Sequence, residues 1–249
     1  MSKIYGISYT SRYFNNRYNN IVNLGNECGL FNTFKCFTEQ YIDNEFKEKY
    51  KEVWNMNQRG GGYWIWKPYI ISKMLEQINE NDILVYIDAG CHINITPDSQ
   101  KRFNEYINMI NNSNSGLLRF QLTHQEKNFT NKKTIDYFKN KFNINDEMIN
   151  TYLESFQLVG GIQLMKKNEY TISFFNKVLE ILNDNMNLFT DKYTNINTNE
   201  KHRHDQSIMS LLYKHMNGDL IIDDETWFIE GFTSEKSKKY PFWATRKQI

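Results

Sequence analysis

Arg59-Gly-Gly-Gly-Tyr-Trp-Ile-Trp-Lys-Pro68 and, one short helix later, Ile83-Leu-Val-Tyr-Ile-Asp-Ala-Gly-Cys91 decide how this chain is read. The first stretch sets three glycines, two tryptophans and a lysine ahead of a proline. The second is an apolar run that stops on one acid, Asp88. Leu84-Val85-Tyr86-Ile87 is apolar enough for a central strand, and Asp88-Ala89-Gly90 follows where that strand must end. Open α/β sheets bind ligands outside the carboxyl ends of their strands. A carboxylate there can hold a divalent cation against a diphosphate. The plainer alternative is that Asp88 caps the following turn.

Gly60, Gly61 and Gly62 permit positive φ and close approach of backbone to a ligand. Trp64 and Trp66 alternate with Tyr63 and Ile65, so an extended segment puts both indoles on one face, for a ligand or for the core. Pro68 holds Lys67 extended and suits the first turn of a helix. Behind it Ile70, Ile71, Met74, Leu75 and Ile78 form one apolar face at helical spacing.

Further out, residues 3–9 read as a first strand, 33–37 as a second and 117–122 as another. Pro97 opens a helix with Phe103, Tyr106, Ile107 and Ile110 on its inner face. A polar excursion at 124–150 contains a helix near 134–142. The apolar run 156–165 carries Gly160-Gly161 at its middle, which reads as a strand with a bulge. Helices follow at 171–182 and 205–215 across an asparagine-rich loop, then a short strand at 220–222. Strands alternating with helices predict one α/β domain over residues 1–249, a mostly parallel sheet flanked by helices.

Composition narrows the partners. Thirty basic against 29 acidic residues leave a formal net charge of +1, without a basic arm to bind nucleic acid. The amino terminus does not read as a signal peptide, and no apolar run is long enough to span a membrane. Cys28, Cys36 and Cys91 are too few and too scattered for a disulfide framework. They suit reduced thiols, so the expectation is a soluble cytoplasmic protein.

The two quoted stretches together resemble a group of glycosyltransferases with the GT-A fold, some linked to capsule and surface-glycan synthesis. Their shared pattern reads Gly-x-Gly-Tyr-Trp-x-Trp-Lys-Pro, a helix, then a strand ending Tyr-x-Asp-Ala-Gly-Cys. Gly60, Gly62, Tyr63, Trp64, Trp66, Lys67 and Pro68 match the first part; Tyr86, Asp88, Ala89, Gly90 and Cys91 match the second. The likeness is dense over residues 59–94 and fainter toward the carboxyl end.

The resemblance implies a glycosyltransferase that moves a sugar from a nucleoside diphosphate sugar, uridine favoured over guanosine, to a glycan or glycoprotein acceptor. Residues 1–122 would form the nucleotide-binding half and 123–249 the acceptor-side half. Ser8, Tyr9, Arg59, Trp64, Lys67, Asp88, Ala89, Gly90 and Arg246 are the implied donor-binding residues. Glu126, followed by Lys132, Lys133 and Asp136, is implied on the sugar and acceptor side with Gly160, Gly161, Asp205 and Gln206. Asp88 and Asp205 are the implied catalytic pair, although Asp205 also reads as a plain helix N-cap.

The usual motif of the fold is Asp-x-Asp, and here Gly90 replaces the second acid. The Mn²⁺ or Mg²⁺ that the resemblance implies therefore has Asp88 alone from the motif, and His202 or His204 is the local candidate for a further ligand. The same departure supports a rival, a non-catalytic nucleotide-sugar or glycan-binding module on this fold. A third reading, a phosphohydrolase using Asp88, wants a second carboxylate that Gly90 denies.

Overall fold

A computed structural model describes residues 2–11, 15–56, 59–194 and 201–246. Its strands are β1 (Ile4–Tyr9), β2 (Thr33–Phe37), β3 (Ile83–Ile87), β4 (His92–Ile93), β5 (Leu117–Gln125), β6 (Phe156–Leu158), β7 (Ile162–Lys166), β8 (Ile221–Asp223) and β9 (Phe242–Trp243). β3 is buried at every position, as a central strand covered on both faces must be. Leu84 and Tyr86 enter one core while Ile83, Val85 and Ile87 enter the other, following the two-residue alternation of a strand.

The first core is closed by helices Trp66–Gln77, Glu169–Asp184 and Asp205–His215. Ile70, Ile71, Met74, Leu75 and Ile78 pack there with Phe174, Leu211 and Leu212. The second lies under helices Asn15–Glu27 and Pro97–Asn112, through Ile21, Phe103, Tyr106 and Ile110. Burying one such side chain contributes about 1.5–3 kcal/mol, so these stripes hold the helices to the sheet. Thr96 and Ser99 form a reciprocal capping box with Pro97 in the first turn, which fixes where the second helix starts.

β1 is parallel to both β2 and β3. β7 runs antiparallel to β3, from Ile83 opposite Lys166 to Ile87 opposite Ile162. β6 and β7 pair with β5 in one antiparallel line: Gln125 meets Phe156, Gln121 meets Leu158 and Leu118 meets Leu164. Gly160 and Gly161 are the bulge between them. β8 adds to β5 in parallel. The seven-stranded sheet is therefore mixed, with five strands running one way and β6 and β7 the other. β4 and β9 pair separately and hold the last described residues beside the end of β3.

Two local expectations fail. The segment with Trp64 and Trp66 is not extended: φ is +63°, +61° and +96° at Gly60, Gly61 and Gly62, then +54° at Tyr63 and +59° at Trp64. A left-handed conformation costs an ordinary residue about 1–2 kcal/mol, and the three glycines remove that cost from most of the turn. The turn sends the indoles to different places. Trp66 is buried, stacked on Tyr9 with ring centroids 3.7 Å apart, and its Nε1 donates to Gly60 O at 2.9 Å; Trp64 stays half-buried. Lys67 is likewise helical rather than extended, because helix Trp66–Gln77 has already begun.

The excursion at 124–150 holds two helices, Lys132–Lys141 and Asp146–Glu154, where one was expected. Residues 195–200 of the asparagine-rich loop lie outside the described residues. Cys28, Cys36 and Cys91 are buried free thiols. Among the described residues no helix is long and apolar enough to cross a membrane.

Candidate active site

The carboxyl ends of β1 and β3 open into a cavity of about 730 Å³, within the range of pockets that enclose small-molecule ligands. Tyr9, Thr10 and Ser11 line it from β1, and Asp88, Ala89, Gly90 and Cys91 from β3. The left-handed turn contributes Arg59, Gly60 and Trp64, and the following helix Lys67. Opposite stand Gly160 and Gly161, then Arg203, His204, Asp205 and Gln206, with Arg246 at the rim. Thirteen of the residues named from the sequence thus meet around one space; Ser8, Glu126 and His202 do not line it. Arg17, Met56 and Arg203 do, and the sequence reading missed them. Arg203 had a signal in its place beside Asp205, whereas Arg17 had none.

Lys67 is the centre of the site. Its side chain is 3% exposed, and its Nζ lies 2.8 Å from Asp205 Oδ2, 3.3 Å from Asp88 Oδ1 and 3.3 Å from Gly160 O. Burial alone would strip its proton, but Asp205 and Asp88 outweigh that, so its pKa sits above the usual lysine value. Burial lifts the Asp205 carboxyl above the ordinary carboxylate range, with Lys67 pulling it down and Asp88 adding a smaller upward push. Asp205 is the first residue of helix Asp205–His215, and the N-cap is His204. The capping alternative for Asp205 therefore fails, and its carboxylate is held by an ion pair.

Asp88 is more open, with a side chain 36% exposed. Its Oδ1 accepts from Tyr86 Oη at 2.5 Å, and its backbone N–H donates to Gly161 O at 2.8 Å. A Cβ on Gly161 would sit 2.6 Å from Asp88 Oδ2, closer than atoms tolerate, so glycine there is what lets that oxygen face the cavity.

A buried polar chain fixes the bulge. Gly160 N–H donates to Gln206 Oε1 at 3.1 Å, Gln206 Nε2 to Gln157 Oε1 at 2.7 Å, and Gln157 Nε2 to Glu126 Oε1 at 2.8 Å. Glu126 is fully buried, and it also accepts from Thr130, from Ser210 and from Lys214 Nζ at 2.7 Å. It therefore supports the site from behind, and the sequence reading that put it on the sugar side is corrected: a carboxylate with four donors has no oxygen to offer a ligand. Lys132, Lys133 and Asp136 belong to the neighbouring helix and do not line the cavity. Arg119, also fully buried, donates to Gln163 Oε1 at 2.5 Å and Val159 O at 3.0 Å, and Gln163 Nε2 donates to Gly160 O at 3.1 Å. Burial pushes this guanidinium down to about 10, and it remains a cation behind the bulge.

The two histidines are structural. His202 Nδ1 accepts from Asn131 N–H at 3.4 Å while Nε2 contacts Leu188 O at 2.8 Å, which makes Nε2 the protonated nitrogen. His204 donates Nδ1–H to Phe189 O at 3.1 Å, and its Nε2 faces Asp191 Oδ1 at 3.5 Å. Among the described residues no three His, Cys, Asp or Glu side chains converge as metal ligands. The donor set here, Asp88 and Asp205 with Lys67 already against both, does not form a metal centre by itself.

Burial, reinforced by His202, holds the His204 pKa down to about 4, against 6.5 for an ordinary histidine. Above pH 6.5 this group is neutral folded or unfolded; below it only the unfolded chain takes up the proton. Stability should therefore fall as pH drops from 6.5 toward 4, by up to about 3 kcal/mol from this residue. The backbone at His204, with φ +52° and ψ −123°, is strained for histidine and asparagine alike, so urea midpoints of parent and His204→Asn across this window should converge in acid. Parallel profiles would remove His204 from the account.

No protein-family model matches the chain, and no curated protein matches its sequence. Solved structures do match in shape. A glycosyltransferase involved in the glycosylation of the major capsid of PBCV-1 aligns over 97% of this chain and 91% of its own, with a TM-score of 0.52 at 11% identity. The chain has the GT-A glycosyltransferase fold. Mouse xyloside xylosyltransferase 1 in its apo form aligns over 97% of this chain and 84% of its own, with a TM-score of 0.47 at 9% identity.

Proposed function

We propose that this protein is a glycosyltransferase that moves a sugar from a nucleoside diphosphate sugar to a glycan or glycoprotein acceptor. The observation that carries the reading is the buried Lys67 between Asp88 and Asp205 at the strand ends of a GT-A fold. Arg59, Arg203 and Arg246 receive the diphosphate, whose departure develops negative charge that fixed cations stabilise. Losing one such group typically costs about 10²–10³ in rate. Asp88 and Asp205 flank the sugar, and the bulge at Gly160 and Gly161 admits it close to the backbone. We assign the first 122 residues, with Tyr9, Lys67 and Asp88, as the donor half and the remainder, with Gly160 and Asp205, as the acceptor half, from which Arg203 and Arg246 reach back to the diphosphate. We favour uridine over guanosine in the donor. The buried free thiols suit a reducing compartment, and we place the protein in the cytoplasm.

One observation favours the rival binding module: Asp205 is held by Lys67 and is not a free base. Thermal shift and nucleotide release together decide. A nucleotide sugar at about 100 times its Kd should stabilise the fold by about 2.7 kcal/mol, and nucleotide should be released as glycan is extended. A melting shift without release makes the protein a binder; no shift with any uridine or guanosine diphosphate sugar ends both readings.

A further inference from the structure

We propose that the cavity takes up its diphosphate without a divalent cation, because Lys67 and the surrounding arginines already do that ion's work. This rests on the reading of the cavity as a nucleoside diphosphate site. A cation at a strand-end carboxylate does two things: it neutralises the acids so that an anion can approach, and it takes part of the charge of the phosphates. Here the first task is done from inside the protein. Lys67 Nζ touches both Asp88 and Asp205, and with its side chain 3% exposed it is part of the wall. An ion placed between the two carboxylates would have to displace a buried ammonium and strand it among apolar neighbours.

The second task falls to the rim. Arg59, Arg203 and Arg246 line the same space, so with Lys67, and apart from Arg17, four basic side chains face two acids among the described lining residues, an excess of two positive charges. The Arg203 guanidinium is fixed at 3.8 Å over the Phe129 ring and so is oriented before a ligand arrives, while the exposed Arg59 lies 5.9 Å from the Trp64 ring, at the outer edge of such a contact. Gly90, where a second acid of the motif would stand, keeps that excess from being cancelled, and a Cβ there would meet only the Arg246 backbone at 3.8 Å. The acid is missing where added negative charge would oppose the phosphates.

Calorimetric titration of the whole chain with inorganic pyrophosphate, UDP and GDP, in EDTA and again in Mn²⁺, tests this. The expected result is a Kd that agrees within about twofold between the two conditions and rises with salt. Lys67→Met should then weaken binding in EDTA by at least about tenfold and regain part of it in Mn²⁺, since the bared carboxylates can now accept an ion. Arg203→Gln, which leaves the carboxylates and Lys67 in place, should weaken binding equally in both conditions and serves if Lys67→Met does not fold. Binding by the parent that appears only with Mn²⁺ overturns the inference and keeps the nucleotide reading. Failure of all three ligands in both conditions overturns both.

Discussion

Lys67→Met and Asp205→Asn, made singly and together, should be far from additive in stability. Lys67→Met leaves Asp205 buried without its cation, a loss of about 3–5 kcal/mol in comparable pairs, and Asp205→Asn loses less, about 2–3 kcal/mol, because Asp88 remains 3.3 Å from Lys67. The double variant removes both charges and should lose no more than the worse single, giving a coupling of about 2–3 kcal/mol in urea unfolding. The sign follows from burial: Lys67 and Asp205 are 2% and 3% exposed, so water cannot replace the missing partner. Losses that simply add would mean that the 2.8 Å ion pair does not hold the folded chain together.

Asp88→Ala should do the opposite, leaving the fold and removing the reaction. Asp88 is partly exposed, Lys67 keeps Asp205 when it is gone, and the hydrogen bond from Tyr86 is the main interaction that the change removes. Melting should shift by no more than the equivalent of about 1–3 kcal/mol, since the buried Tyr86 hydroxyl loses its acceptor while the core is untouched. Transfer should fall by at least about a hundredfold if the carboxylate beside Lys67 acts on the sugar as proposed. A variant that melts lower but transfers sugar at the parental rate would return Asp88 to the role of a turn residue.

Some of this was legible in the residues. An apolar run ending on Asp88 reads as a strand end because burial and alternation are local properties, and β3 confirms it. Gly160 and Gly161 read as a bulge for the same reason. What the sequence could not show was destination. A single lysine in a loop reads as solvated, and nothing near Lys67 says that Asp205 will close over it. Glu126 stands in a charged segment, yet Lys214, 88 residues on, makes its interior position tolerable. The alternation of Trp64 and Trp66 suggested one face only because five consecutive positive φ angles have no signature beyond their glycines. Strand direction was equally hidden: periodicity marks β7 as a strand and is silent on which way it runs.

That direction bears on how the protein moves. Because β7 is reversed, its first residues meet the last residues of β3, and Asp88 N–H is bonded to Gly161 O across the seam. The parts of the chain before and after residue 122 are therefore stitched through one continuous ladder and cannot swing apart like the lobes of a hinged protein. Any opening of the cavity would fall instead to surface segments such as the left-handed turn at 59–64 and the rim that carries Arg246. Motions of that kind run on nanoseconds to microseconds, about a thousandfold faster than domain closure. A site built on this seam keeps its carboxylates and lysine in register and lets only its edges breathe.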